Sequence, residues 1–403
     1  MNDRMSALKS HVARFIAIYK GFALPLMNTV AAFIAFNLVL LAIFRLKDGS
    51  LTVVTDPVSR SRYDVERLRQ VYPNYSDTAI RNLVAETWHR PHQFEPFTQF
   101  KEPPFQGTYV NVHAAGFRQN DRQAVWPPEK KNINVFVFGG STTFGYGVAD
   151  TETIPAQLEA FLLSKTEADV HVYNFGCGYY FSTQERIRFE QLVLAGLIPD
   201  VAVFIDGLND FDHFDGVPYG TDRLIRATND ENAAAAGLLV SRLPVSRLAR
   251  GIRRRLWGSE VPREEAFAPD DRRVNMSVIE RFERNIELIQ ALGRSQDVST
   301  VFVWQPSPAY HYDDKRFHLF YDGKYGSFTR TRFGYLEMEA VVKKPRADYG
   351  LLWLADLQQE LKEPLYVDKV HYTGRFSAVI AKAIGDELLR RGVLKKRRET
   401  GIR

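Results

Sequence analysis

The stretch INVFVFGGST, residues 133–142, places a predominantly apolar run of β-branched and aromatic residues directly before two glycines and a serine. Such a run bounded by glycines is typical of a strand buried on both faces of a parallel sheet. The helix-like stretch Glu152–Ser164 comes next, and Val170–Phe175 is a second strand-like run. From residue 132 onward the sequence therefore predicts alternating strands and helices.

The alternation continues to the end of the chain. Further strands are predicted at Val201–Ile205, Thr300–Trp304 and Leu351–Leu354. Capping boxes, in which serine precedes glutamate by three residues, predict helices that begin at Ser182 and Ser277, while a last helix is predicted from Thr373 to Gly392. Alternation of this kind predicts an α/β fold, a three-layer α/β/α sandwich around a mainly parallel five-stranded sheet of flavodoxin-like type.

Four short segments supply chemically useful groups at the ends of these elements. They are Gly139-Gly140-Ser141, Asn174–Gly178, Gly207–Asp210 and Asp368–His371. Parallel sheets bind ligands at the carboxyl ends of their strands, so the first three segments are expected to meet in one cleft. Together the four segments offer a nucleophile, oxyanion donors and a base supported by a carboxylate, which is the equipment for acyl transfer.

Each segment also has a plainer interpretation. Ser141 could belong to an ordinary glycine-rich turn, although the P-loop and dinucleotide-binding patterns do not fit the residues around it. Asn209 could be a turn asparagine, and Gly178 could lie in a turn that ends a strand. His371 could be a surface histidine beside an aspartate, but a three-residue spacing lets one loop present both the base and the carboxylate that orients it.

The order and spacing of the four segments resemble the SGNH (GDSL-like) hydrolase superfamily over roughly residues 108–392. The resemblance implies that Ser141 is the nucleophile, His371 the general base and Asp368 its orienting acid. It further implies an oxyanion hole formed by the N–H of Ser141, the N–H of Gly178 and the amide of Asn209, with Gly176 as the second choice for the glycine.

The chain departs from this family pattern at two places. Gly140 stands where the family usually has aspartate, and Tyr179 and Tyr180 stand where another glycine is often found. The segment from Gly116 to Arg118 also resembles a lead-in seen ahead of the nucleophile in some membrane-linked members, and it is equally compatible with an edge hairpin.

The resemblance implies a serine-dependent hydrolase of O-acyl esters that needs no cofactor. An O-acetyltransferase with the same residues and a non-catalytic envelope scaffold are the alternatives. The histidines show no metal-ligand spacing, so no metal site is expected, and no nucleic acid partner is indicated. A single cysteine, Cys177, excludes an internal disulfide. The sequence does not predict an oligomeric state.

The N-terminus predicts a membrane anchor. Residues 22–44 contain no charged side chain, and about 20 apolar residues are enough to cross a bilayer as a helix. Basic residues outnumber acidic ones before this run, which favours residues 1–20 in the cytoplasm, an anchor over residues 21–44 and an exported remainder. A cleaved signal peptide and a buried core helix are the competing interpretations. An exported enzyme would have an acylated envelope glycan or exopolysaccharide as its natural substrate.

The remaining segments complete the predicted organisation of the 403 residues. Residues 45–107 are expected to form a stalk and an extended lead-in, and residues 108–394 the catalytic domain. Within that domain, residues 212–275 interrupt the alternation and are expected to form an insertion or lid over the catalytic edge. Residues 395–403 are a basic tail, and this tail and Arg253–Arg255 account for part of the net charge of +5. Both basic clusters are expected to be solvated or to contact anionic lipid or polysaccharide.

Overall fold

The computed structural model describes residues 2–48, 65–221, 224, 243–257, 267–312, 316–321, 325–344 and 350–396. The chain divides into two compact units. The N-terminal unit comprises Met1–Thr55 and Asp222–Pro262, and the catalytic unit comprises Asp56–Thr221 and Arg263–Arg403.

The elements follow the chain in this order. The strands are β1 Gln93–Glu95, β2 Gln99–Lys101, β3 Phe105–Gln106, β4 Asn111–Val112, β5 Ile133–Gly139, β6 Val170–Asn174, β7 Val201–Asp206, β8 Ser299–Trp304 and β9 Leu351–Trp353. The helices are α1 Asn2–Asp48, α2 Val65–Val71, α3 Asp77–Trp88, α4 Ser141–Phe144, α5 Ile154–Leu163, α6 Ser182–Leu194, α7 Leu208–Asp212, α8 Pro244–Trp257, α9 Arg272–Ser295, α10 Thr329–Val342 and α11 Gly374–Arg391.

A five-stranded parallel sheet in the order β6-β5-β7-β8-β9 forms the centre of the catalytic unit. The prediction of this sheet is confirmed, and each strand begins and ends within one residue of its predicted bounds. Every residue of β5 and β7 is buried, as expected for central strands covered on both faces. The carboxyl ends of β5, β6 and β7 consequently lie at one edge of the sheet.

Helices cover both faces of the sheet and complete the predicted three layers. On one face α5 and α11 contribute buried residues such as Leu158 and Ile380. On the other face α6, α9 and α10 contribute Phe189, Phe282 and Tyr335 to a second apolar cluster. Full burial of one large apolar side chain stabilises a fold by about 1.5–3 kcal/mol, so both layers are substantial contributors.

The predicted capping boxes are wrong, whereas the last helix is confirmed. Phe181 precedes α6, and the Ser182 hydroxyl donates to the buried Asp210 carboxylate at 2.6 Å instead of capping the helix. The helix predicted from Ser277 begins earlier, because Asp271 accepts hydrogen bonds from the first turn of α9. Thr373 caps α11, as predicted, by accepting from the Phe376 N–H at 3.2 Å.

The described part of the predicted stalk and lead-in, residues 65–107, belongs to the catalytic unit. Leu68 on α2 and Leu83 on α3 are fully buried, in one apolar cluster with Val367. The hairpin formed by β1 and β2 follows. Residues 65–107 are thus an integral layer of the domain, which corrects the expectation of a stalk in this range; residues 49–64 lie outside the described residues.

The N-terminal unit contains α1, in which His11–Phe44 is long and apolar enough to cross a membrane. Most of its large apolar side chains are exposed, but Asn37 and Leu40 are buried. The N–H of Val245 on α8 donates to Asn37 Oδ1 at 3.0 Å. Basic α8 is therefore a partner of α1 within this unit.

The predicted insertion divides differently from expectation. Its first part, through Thr221, and its last part, from Arg263, belong to the catalytic unit, where they supply the last residue of α7 and the start of α9. Its middle part groups with α1, so the structure gives no support to a lid formed by the whole stretch. Residues 222–223, 225–242 and 258–266, like 397–403 of the predicted tail, lie outside the described residues.

Candidate active site

Ser141 is the first residue of α4, immediately after the buried strand β5. Gly140 precedes it in an extended conformation, and a Cβ at Gly140 would overlap the Asn209 amide nitrogen. The aspartate that the family pattern has at this position would therefore fit only if the Asn209 side chain shifted. The strand end, the glycine and the short helix together bring the Ser141 hydroxyl to the edge of the sheet.

The loop before α11 supplies His371 and Asp368. His371 Nε2 lies 2.8 Å from Ser141 Oγ, and His371 Nδ1 lies 2.7 Å from Asp368 Oδ2. With the ring proton on Nδ1, that N–H donates to the carboxylate and the serine hydroxyl donates to Nε2. The structure thus brings together the three residues predicted as nucleophile, base and orienting acid.

Asp368 is fixed by its own loop. Its Oδ1 accepts from the N–H of Val370 at 2.9 Å and from the N–H of His371 at 2.8 Å. Burial disfavours the ionised carboxylate, but the charge and hydrogen bond of His371, with the two backbone donors, outweigh it and lower the pKa of Asp368 to about 2. The carboxylate is ionised at neutral pH and holds the imidazole in one orientation.

Two aromatic rings enclose the imidazole. Tyr146 stacks on His371 with ring centroids 5.5 Å apart, and Trp88 meets it edge-on at 5.4 Å. Trp88 is the last residue of α3, in the range expected to form a stalk. Sequence reasoning missed both rings, because no local pattern around Trp88 or Tyr146 indicates a contact with His371.

Asn209 reaches the site from α7, after β7. Its Nδ2 donates to the Tyr180 carbonyl at 2.7 Å and lies against Gly140. One amide hydrogen is used by that carbonyl, and an amide group has two. The position beside Gly140 places the second hydrogen near the residue that precedes Ser141.

The structure does not support the predicted role of Gly178 or of its alternative Gly176. The Gly178 N–H donates to Glu102 Oε1 at 3.1 Å, and the Gly176 N–H donates to Asn174 Oδ1 at 3.0 Å. Each backbone N–H offers a single donor, which in both cases is already engaged within the protein. The sequence could not show this because Glu102 lies 76 residues before Gly178.

Glu102 is the centre of a buried polar network. Its carboxylate pairs with Arg90 at 2.9 Å and accepts from the Tyr146 hydroxyl at 2.9 Å. Burial opposes its ionisation, but the neighbouring His92 ring, the charge of Arg90 and the Gly178 N–H lower its pKa to about 2. Through Tyr146 and Gly178 this carboxylate connects the imidazole with the loop after β6.

Glu102 also belongs to a group that could be considered for metal binding. Ligand atoms of His92, Glu102 and Cys177 lie within 4.8 Å of one another. Arg90 already neutralises the carboxylate, and burial raises the pKa of the Cys177 thiol well above its usual range. A cation here would face a guanidinium and a protonated thiol, so the donor set is poorly suited to a metal ion.

The Arg118 side chain holds the loop that follows Ser141 in place. The side chain is fully buried and pairs with Asp150 at 2.7 Å. Its guanidinium donates to the carbonyls of Phe144 at 3.0 Å and Val148 at 2.7 Å, and also to that of Gly145. Isolated bridges join Arg118 to β4 and to the end of β6. The segment from Gly116 to Arg118 is therefore an edge segment of the sheet, and its arginine fixes the loop after Ser141.

Three buried carboxyl groups lie under the Asn209 segment. Burial raises the pKa values of Glu185 and Asp206 well above their usual range, and the charge of Asp210 raises both further. Asp210 itself accepts from Ser182 and lies near the charge of Arg281. This environment therefore disfavours the ionised forms of Glu185 and Asp206.

Comparison with known proteins gives structural neighbours only. No protein-family model and no curated protein match the chain. A putative lipolytic protein of the G-D-S-L family from Desulfitobacterium hafniense is 15% identical, with a TM-score of 0.35, over 64% of this chain and all of the other. The carbohydrate acetylesterase Est24 from Sinorhizobium meliloti is 11% identical, with a TM-score of 0.33, over 64% of this chain and 99% of the other.

A third neighbour is a two-domain esterase active on acetylated mannans. It is 12% identical, with a TM-score of 0.35, over 66% of this chain and 51% of the other. These structural neighbours are lipolytic proteins and esterases. At these identities and TM-scores they support no argument about mechanism, which depends on the geometry of the site alone.

Proposed function

We propose that this chain is an SGNH-type serine hydrolase of O-acyl esters, with Ser141 as nucleophile, His371 as general base and Asp368 as the acid that orients the base. The observation that supports this most strongly is the unbroken series of hydrogen bonds from Asp368 Oδ2 to His371 and from His371 Nε2 to Ser141 Oγ. Nucleophile, base and orienting group within such distances are the geometric signature of covalent acyl transfer.

The reaction proceeds in two halves. Ser141 Oγ attacks the ester carbonyl while its proton passes to His371 Nε2, and the resulting imidazolium gives that proton to the departing alcohol. Water then attacks the acyl-serine, losing a proton to His371, and the carboxylic acid leaves as Ser141 regains its hydrogen. Asp368, ionised because its pKa is about 2, stabilises the imidazolium in both halves.

Two donors are proposed for the oxyanion. The N–H of Ser141 lies in the first turn of α4, where N–H groups have no acceptor within the helix, and the second amide hydrogen of Asn209 lies nearby. A positioned amide donor contributes about 2.7–4 kcal/mol to transition-state stabilisation in enzymes of this kind. The Glu102 hydrogen bond to Gly178 gives the neighbouring loop a structural role instead.

The proposed natural substrate is an acylated glycan of the cell envelope or an exopolysaccharide. We propose that α1 crosses the membrane once, with residues 1–20 in the cytoplasm and the catalytic unit exported. The apolar, mostly exposed surface of α1 supports the anchor, and the basic residues before it support the orientation. Transfer of the acyl group to a glycan hydroxyl would use the same residues, with a sugar hydroxyl in place of water.

Activated esters test the activity. The full chain in detergent is expected to hydrolyse p-nitrophenyl acetate, and Ser141→Ala is expected to abolish turnover while the circular dichroism spectrum stays unchanged. Full activity in Ser141→Ala would contradict the proposed nucleophile. Product analysis with a labelled acetyl donor and a sugar acceptor separates hydrolysis from transfer.

A further inference from the structure

A pair of stacked tyrosine rings lies on the surface of the catalytic unit. Tyr179 and Tyr219 are parallel within 8°, and their ring centroids are 4.1 Å apart. Tyr179 covers one face of Tyr219, yet Tyr219 is 44% exposed, so its solvent contact lies on the remaining surface. We call Tyr179 and Tyr219 the aromatic platform.

The aromatic platform begins next to a residue whose backbone contacts the candidate site. Tyr179 is followed by Tyr180, whose carbonyl accepts the Asn209 amide at 2.7 Å, and that amide lies against Gly140. Consecutive Cα atoms are about 3.8 Å apart, so the platform begins one residue away from the group that contacts the nucleophile turn.

Tyr179 occupies a backbone conformation that disfavours a tyrosine. Its φ is +66°, in the left-handed region that glycine adopts without cost. A bulky side chain there costs about 1–2 kcal/mol. Strain of this kind gathers at ligand sites, where the side chain has a use that glycine cannot serve.

Polar groups border the aromatic platform. Thr221 Oγ1 donates to Gln99 Oε1 at 3.0 Å, and Gln99 lies on the strand that pairs with β1. The Phe100 ring meets Tyr219 edge-on at 6.5 Å, and Lys101 pairs with Glu95 at 2.7 Å. A partly exposed aromatic pair with a hydroxyl and an amide group close by matches a ligand with both apolar and polar surface.

We propose that the aromatic platform stacks a sugar ring of the substrate and so makes the enzyme an esterase of acylated glycans; this rests on the ester hydrolysis proposed above. A pyranose presents a face of C–H groups, which packs on the electron-rich face of an aromatic ring, and a rim of hydroxyls, which hydrogen-bond to polar neighbours. A long acyl chain has no such rim and is expected in an enclosed apolar channel rather than on exposed tyrosines.

Two variants remove the aromatic platform in different ways. Tyr219→Ala removes the exposed ring, and Tyr179→Gly removes the other ring at a position whose positive φ glycine adopts without strain. Leu194→Ala is the matched control, because Leu194 is 87% exposed at the far end of α6.

The first experiment measures binding without turnover. The full chain with Ser141→Ala, in detergent, is applied to an array of microbial oligosaccharides, alone and combined with each variant. We expect at least one oligosaccharide to bind, and about tenfold weaker binding or more after Tyr219→Ala or Tyr179→Gly, since loss of one stacked ring has effects of this size. Absence of any bound glycan, or equal binding by the platform variants and the Leu194→Ala control, overturns the proposal.

The second experiment separates this proposal from the proposed function. The two platform variants are also prepared with Ser141 intact, and kcat/KM is measured on p-nitrophenyl acetate and on the acetylated form of the bound oligosaccharide. Relative to wild type, we expect kcat/KM on the oligosaccharide, divided by kcat/KM on p-nitrophenyl acetate, to fall about tenfold through a higher KM. A fall seen instead with p-nitrophenyl octanoate assigns the rings to an acyl chain and overturns the sugar platform. No hydrolysis of any ester by wild type contradicts the proposed function, while the array still decides the platform.

Discussion

At the residue scale, the geometry of the candidate site depends on Asp368, which orients the proposed base. Its two oxygens accept three hydrogen bonds, two from backbone N–H groups and one from the His371 ring. The two backbone bonds hold the loop in its conformation, and the third bond holds the imidazole in the orientation that this loop sets. The orientation of the base is therefore a property of one short loop, which is why the Asp-x-x-His spacing could be recognised in the sequence.

The first prediction concerns pH. The pKa of Asp368 is about 2, so this carboxylate stays ionised at neutral pH and one imidazole ionisation is expected to govern kcat/KM there. We expect kcat/KM on p-nitrophenyl acetate to rise with pH to a plateau. Asp368→Asn is expected to lower the plateau less than His371→Ala does. A flat profile between about pH 5 and 8, a range that spans ordinary imidazole titration, would contradict His371 as the base.

The second prediction concerns the buried carboxyl groups. The pKa of Asp206 is higher in the folded protein than in the unfolded chain, where it is about 3.9. The stability that Asp206 contributes is therefore complete at pH values below about 3.9 and is lost as the pH rises toward the folded pKa. Asp206→Asn has no proton to lose. We expect the melting temperature of Asp206→Asn, relative to wild type, to increase from pH 5 to pH 8. Parallel melting curves for the two proteins would show that Asp206 is not held neutral.

Some residue roles were beyond the reach of the sequence. Gly178 stands where an oxyanion donor was expected, and nothing near it indicates that Glu102 accepts its N–H. Trp88 and Tyr146 enclose the base through contacts that exist only after α3 has packed on the domain. Long-range contacts of this kind leave no periodic signal in the chain.

At the scale of elements, the strands were more predictable than the helix starts. β5 and β7 are buried on both faces, which forces nearly continuous apolar runs that end at glycine or aspartate. A serine followed by a glutamate is a weaker signal, because tertiary partners can take either side chain. Ser182 bonds to Asp210 and Glu185 lies beside Asp206, so the apparent capping box is a core polar cluster.

The third prediction concerns Arg118 and the nucleophile loop. Arg118→Met removes the buried cation paired with Asp150 and a donor shared by several loop carbonyls, so we expect a loss of about 3–5 kcal/mol in the free energy of unfolding together with lower kcat. Arg118→Lys cannot donate to as many groups and is expected to rescue only part of the loss. Denaturant titration and ester hydrolysis check both quantities.

Arg69→Met is the matched control, because its ion pair with Asp77 is exposed and surface pairs contribute little. An Arg118→Met protein as stable as the Arg69→Met protein would contradict the supporting role of Arg118.

At the scale of the whole molecule, the chain consists of a catalytic unit and a unit built on α1 and α8. Composition predicted the apolar helix, but not that a basic helix more than 190 residues later would pack on it through Asn37. Asn37, a polar residue within the predicted span, accepts a hydrogen bond from α8. This polar residue in the apolar run thus has a hydrogen-bond partner in the protein.

The fourth prediction concerns topology. We expect the full chain to remain in the membrane fraction after alkaline carbonate extraction. A phosphatase reporter that is active only outside the cytoplasm is expected to be active when fused after residue 403, since the basic residues precede the apolar run. Replacing Arg14 and Lys20 with glutamate should weaken that activity. Release by carbonate, or activity only of a cytoplasmic reporter, would reverse the assignment.

The central claim is that Ser141, activated by His371, is a nucleophile, and a covalent probe tests it most directly. The full chain is treated with a fluorophosphonate, and the modified peptide is identified by mass spectrometry. We expect one adduct on Ser141, none in Ser141→Ala, and labelling at least about 100-fold slower in His371→Ala, the lower range for loss of a general base. An unlabelled Ser141 in folded protein, or equal labelling in His371→Ala, would contradict the account.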